Sequence, residues 1–166
     1  YGGNVVYGRS AGSATVFAAA LNGRRDFSSW DDLVHVSRPS APRILEIPRA
    51  TMDTLDPLGT ALRTGTLVKT VASPDIYLVD GLNSRVRVES LDDTDQIGVA
   101  GFRTVPSAVL ASYPEASAML SPVVRCGPRS YVGLGGSLQL RNPALTDPAM
   151  LPVSMLQDMT CRYLPV

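Results

Sequence analysis

Ile76-Tyr77-Leu78-Val79-Asp80-Gly81-Leu82-Asn83-Ser84-Arg85-Val86-Arg87-Val88-Glu89 is the stretch that decides the fold class. An apolar run meets an Asp-Gly pair and is followed by a second run, which is the strongest short-range signal for a β-hairpin. Arg85-Val86-Arg87-Val88 alternates with period two, turning the valines inward and the arginines to solvent. Ser90-Leu91-Asp92-Asp93 comes next; a serine with an aspartate three residues on reads as the N-cap of a short helix. Leu67-Val68 opens the unit, and Val105-Pro106, Leu110 and Tyr113-Pro114 close it. Pro106 suits the first turn of a second short helix, whose Leu110 would face a core.

The same landmarks recur in order on both sides of this stretch. Upstream, Val5-Val6 is followed by Thr15-Val16-Phe17, a turn at Asn22-Gly23, Arg24-Arg25-Asp26-Phe27, and Ser29-Trp30-Asp31-Asp32. Ile47-Pro48, Met52 and Asp56-Pro57 close that copy. Downstream, Val123-Val124, Ser130-Tyr131-Val132, Gly135-Gly136 and Leu138-Gln139-Leu140 repeat the hairpin. There Asn142-Pro143 stands for the acidic cap, and Leu151-Pro152 with Leu156 for the closing segment. The chain is therefore expected to be one β-rich (α+β) domain of three degenerate hairpin-bearing repeats, about 5–66, 67–122 and 123–166. Thirteen prolines and fourteen glycines keep every element short. A unit of this size cannot bury its own apolar face, so the copies are expected to share one core. A closed pseudo-threefold arrangement and a linear stack both meet that need.

Composition limits the partners. With 166 residues, 45% hydrophobic and 18% charged, the chain can bury a real core and is no disordered linker. A formal net charge of zero gives no general electrostatic reason to bind nucleic acid or anionic lipid. No apolar run approaches the ~20 residues of a membrane span. The chain starts at Tyr1 without a signal-peptide pattern, as expected of a processed protein or an excised domain.

Ile76-Tyr77-Leu78-Val79-Asp80-Gly81, with Arg85, Ser90, Val105-Pro106, Leu110 and Pro114, resembles a tandem repeat of secreted bacterial proteins. That repeat runs roughly Tyr-Leu-Val-x-Gly-x-x-Arg-x-x-x-Ser, then a Val-rich stretch and Leu-x-x-x-Pro-x-Gly. It sits at the ends of hydrolases and surface proteins as an appendage for wall or glycan targeting. The resemblance covers the second copy and most of the first. The third departs from it, with Gly-Gly-Ser in place of the basic pair. It implies a secreted, non-catalytic domain whose partner is a polysaccharide or cell-envelope glycan, or else a protein of the same surface assembly.

The residues that could carry chemistry are few. His35 is the sole histidine and lies in the apolar stretch Leu33-Val34-His35-Val36, which suits a half-buried structural residue better than a general base. Zinc spacing is absent. Asp92-Asp93-Thr94-Asp95 lacks the glycine and glutamate of an EF-hand and reads as helix-terminal charge. Gly133-Leu134-Gly135-Gly136 matches no phosphate loop. No catalytic residue, metal or cofactor is assigned, and a small hydrolase is the weakest reading. Cys126 and Cys161 are expected to form a disulfide, with two free buried thiols as the alternative. Trp30 either plugs the core of the first copy or forms an aromatic platform for a sugar. In the second case Arg24, Arg25, Trp30, Asp31, Arg85 and Arg87 are the expected binding residues.

Overall fold

Why the Asp80-Gly81 turn needs its glycine is plain in a computed structural model of the chain, which describes residues 5–20, 23–141 and 153–165. Gly81 has φ +65°, in the left-handed region, and its Cα faces the Gln157 side chain so closely that a Cβ would collide with it. The flanking runs form strands, and the pattern is repeated along the chain. The first stretch contains β1 (Tyr7–Ser10), β2 (Phe17–Ala20), β3 (Gly23–Asp26), α1 (Trp30–Ser37), β4 (Ile44–Ile47), α2 (Arg49–Met52) and β5 (Pro57–Thr60). The second contains β6 (Leu67–Lys69), β7 (Ile76–Asp80), β8 (Ser84–Val88), α3 (Leu91–Ile97), β9 (Phe102–Thr104) and α4 (Ser107–Ala111). The third contains β10 (Val123–Cys126), β11 (Arg129–Leu134), β12 (Ser137–Leu140), β13 (Ser154–Leu156) and α5 (Asp158–Cys161). The architecture is β-rich α+β.

Each stretch makes its own sheet, with orders β4-β1-β2-β3-β5, β8-β7-β6-β9 and β12-β11-β10-β13. In every one, three antiparallel strands form a meander and a later strand returns parallel to the first. The registers agree as well. Gly8, Phe17 and Asp26 lie in one cross-strand row, as do Val68, Tyr77 and Arg87, and Val124, Tyr131 and Leu140. A backbone bond to the closing segment also recurs: Arg24 N to Asp56 O, Arg85 N to Pro114 O, and Leu138 N to Pro165 O, at 2.7–2.9 Å.

Two sequence landmarks move. The residues paired like Leu67-Val68 are Tyr7-Gly8, not Val5-Val6. Gly8 stands where the other stretches have valine because Phe17 and Ile47 fill the space; a Cβ there would meet their side chains at 2.8 and 2.6 Å. In the third stretch Leu156 ends strand β13 instead of facing a core from a helix, and Gln157 takes the N-cap place of Pro48 and Pro106. Asn142-Pro143 and Leu151-Pro152 lie outside the described residues, as does Asn22.

Among the described residues the buried side chains form three clusters instead of the single core expected. The largest joins the second and third stretches through Leu78, Val86, Ile97, Val124, Leu138 and Leu156. A second is built on Phe27, Leu33 and Val36 of the first stretch and takes in Leu82 from the second, with Met159 of the third packed on it. The last surrounds Val68, Tyr77, Leu110 and Tyr113. All three pairs of stretches touch. Arg25 reaches Ser112, Thr160 bonds Asp80, and His35 stacks on Tyr163 at 4.1 Å. Cys126 and Cys161 are disulfide-bonded and clip the end of β10 to α5.

Candidate functional site

Trp30 sits on a rigid helix start. Ser29, in extended backbone, caps α1 by accepting from Asp32 N at 3.1 Å, and Ser28 and Ser29 each donate to Asp32 Oδ2. Arg63 Nε donates to Asp32 Oδ1 at 2.6 Å. Burial works to raise the Asp32 pKa, but the bonds from Arg63, Ser29 and Ser28 outweigh it and hold the carboxyl below its usual range. Next to this clamp Trp30 is 60% exposed, beside exposed Asp31. Leu91, at the matching position of α3, is 51% exposed. Trp30 is thus not a core plug.

The four arginines expected with it are tied into the fold. Arg25 is fully buried, donating to Leu82 O, Leu58 O, Ser112 Oγ and Ser112 O, with its guanidinium 3.6 Å from the Tyr113 ring centroid. Burial lowers its pKa from the ordinary value, with Tyr113 acting the other way. Arg24 donates to Met52 O at 3.2 Å and lies 3.5 Å from Asp26. Arg85 donates to Leu110 O at 2.7 Å, covers the Tyr77 ring and approaches Glu115 at 3.5 Å. Arg24 and Arg85 therefore do the same thing in two stretches: each ties a strand to a carbonyl in the last turn of the stretch's second helix, α2 or α4. Arg87 pairs with Asp75 at 2.8 Å and stays partly exposed. His35 Nε2 donates to Thr64 O at 3.0 Å, and burial first of all pulls its pKa down. Among the described residues no group of three potential metal ligands comes together.

A wide concavity lies elsewhere, lined by all three stretches. It is an open groove of about 1350 Å³. Val5, Val6, Tyr7, Val36 and Leu45 of the first stretch, Leu82 and Asn83 of the second, and Met155, Leu156 and Met159 of the third line it. Its charged lining residues are Arg43, Arg125, Asp158 and Arg162. Tyr7 is buried in the wall, and its hydroxyl pKa is pushed up to about 12, by burial first and then by neighbouring Tyr163.

The chain matches no known family, and no curated protein matches it. The site is therefore read from its own geometry. Sequence reasoning found the Trp30 cap and missed the groove, whose residues are scattered along the chain from Val5 to Arg162. One signal was present. Arg9 and Arg125 hold the same register place in β1 and β10, but Arg9 faces Glu46 whereas Arg125 faces Met155.

Proposed function

We propose that the chain is a non-catalytic binding module of a secreted bacterial protein, made of three copies of one repeat, which holds a cell-envelope glycan against the Trp30 cap. The observation that carries this reading is the exposure of Trp30. A large indole left in water beside a carboxylate, on a helix start clamped by Ser28, Ser29 and Arg63, is a ready stacking surface for the apolar face of a sugar. Asp31 supplies an acceptor for ring hydroxyls.

The common registers support three copies, and the three pairwise contacts favour a closed pseudo-threefold arrangement over a linear stack. A disulfide suits an oxidising compartment, and among the described residues no helix is long and apolar enough to cross a membrane. The test is retention on purified peptidoglycan and on insoluble polysaccharides. Wild type should be retained on at least one of them, and Trp30→Ala should be lost from it while unfolding within about 0.5 kcal/mol of wild type. Retention of the variant, or no retention of the wild type, refutes the reading.

A further inference from the structure

We infer that the groove between the first and third stretches is a docking site for an extended acidic peptide carrying aliphatic side chains, separate from the Trp30 cap. Charge is the first argument. Among the described residues six arginines lie within 4.0 Å of a carboxylate, whereas outside the groove Arg25, Arg38, Arg103 and Arg129 do not. Arg43, Arg125 and Arg162 have no carboxylate partner among the described residues, yet all three are exposed and line one groove with a single acid, Asp158. In a chain of zero net charge this is a local excess of positive charge. Two of the three are pre-positioned by backbone carbonyls: Arg125 Nε donates to Gly127 O at 3.2 Å and Arg162 Nη1 to Arg38 O at 3.1 Å. Their remaining N–H groups can still bind a carboxylate, the geometry arginine suits best.

Shape and polarity select a peptide over a sugar. Beside Ser37, Ser40, Asn83 and Gln157 the lining carries aliphatic and thioether side chains, with Met155 70% and Leu45 44% exposed. Among the described lining residues the one aromatic, Tyr7, is 7% exposed, so none of them offers a ring as a stacking face. Flexible methionines adapt to varied aliphatic side chains. Both β4 and β13, which contribute Leu45 and Met155, are outermost strands of their sheets, where an extended chain can dock. An occupant alternating carboxylates with aliphatic side chains would answer rim and walls together.

The experiment is fluorescence anisotropy of the full chain with a fluorescein-labelled peptide of alternating glutamate and valine, about ten residues long. Binding should weaken steeply with salt, and the triple variant Arg43→Glu/Arg125→Glu/Arg162→Glu should weaken it at least about tenfold. Arg103→Glu, an exposed arginine on β9 outside the groove, should leave it within about twofold. The milder triple Arg→Gln variant guards against misfolding and should also lose affinity. Failure of the peptide to bind, equal binding of the lysine-valine counterpart, or unchanged affinity in both triple variants overturns the proposal. So does tighter, competing binding of polygalacturonate, which would make the groove a polyanionic sugar site, or concentration-dependent self-association that blocks the peptide.

Discussion

Replacing Arg25 by methionine should remove a large share of the stability of this domain. The guanidinium is the largest side chain in the fully buried set, and it ties strand β3 to the 82 turn and to the end of α4. Methionine keeps most of the length and apolar volume but leaves three backbone carbonyls, of Leu82, Leu58 and Ser112, without this donor. A hydrogen bond from a charged donor contributes ~1.5–3 kcal/mol, so the gross loss over the three is about 4.5–9 kcal/mol. The stacking of the cation on Tyr113 adds ~1–2 kcal/mol. Against this, the variant no longer has to strip water from a guanidinium, a relief of several kcal/mol, and the net falls at about 3–5 kcal/mol. That is a fifth or more of the roughly 5–15 kcal/mol available to a typical domain. Urea unfolding followed by Trp30 fluorescence and far-UV circular dichroism measures it. Arg87→Ala, which removes a partly exposed pair, should lose no more than about 1 kcal/mol in the same assay. Arg25→Lys should fall between wild type and Arg25→Met, because one ammonium cannot reach carbonyls that diverge around a planar fork. An Arg25→Met protein within about 1 kcal/mol of wild type would refute the reasoning and show that desolvation cancels the bonds.

Two further perturbations follow from a buried carboxyl and a partly buried disulfide. Asp80 has its pKa raised, first by burial, although Thr160 Oγ1 and Gln157 N donate to its Oδ1. Its contribution to stability is therefore full below the ordinary aspartate pKa and is lost as pH rises through the higher folded value. An asparagine in its place could accept the same two bonds without a charge. Asp80→Asn should accordingly flatten this loss across mildly acidic pH and leave the protein at least as stable as wild type at neutral pH; a less stable variant at pH 7 would contradict it. The paired change Cys126→Ser/Cys161→Ser opens a 35-residue separation and should lower stability by about 3–4 kcal/mol in equilibrium denaturation. A loss below about 1 kcal/mol would mean that β10 and α5 stay together without the bond.

The hairpins were legible because their causes are local. Alternation, a turn residue and a serine cap act within a few residues, so Phe17, Tyr77 and Tyr131 emerge at one register and Ser29 and Ser90 cap their helices as read. The last closing segment was misplaced because proline served as its landmark. Pro48 and Pro106 precede α2 and α4 without an N–H that needs a partner. Gln157 has one, and its acceptor is Asp80, 77 residues away in another stretch. The roles of the arginines were hidden for a similar reason. Arg24 and Arg25 are adjacent and chemically identical, but strand alternation sends Arg25 into the interior, to carbonyls of residues 33 to 87 positions distant. The Trp30 cap could be found because a cap is made by its own neighbours. The groove could not, since its lining is assembled only when the stretches meet.

The third stretch shows how one structural need is met by different chemistry. In the first two, the strand after the turn carries Arg24 or Arg85, which holds the stretch's second helix, α2 or α4, through Met52 O or Leu110 O. The matching strand residue in the third is Leu138, which still donates its backbone N–H to Pro165 O but has no side-chain donor. Counting from the N-cap, the helix position of Met52 and Leu110 is occupied there by Cys161. That residue is held covalently, from the other side of the sheet order, by Cys126 at the end of β10. The disulfide thus stands where an arginine clamp is missing. It also keeps α5 in place to present Thr160 Oγ1 and Gln157 N to Asp80, the contact that joins the third stretch to the turn of the second. Loss of the disulfide should accordingly loosen that turn as well as α5, although neither Asp80 nor Gly81 lies in the stretch it closes.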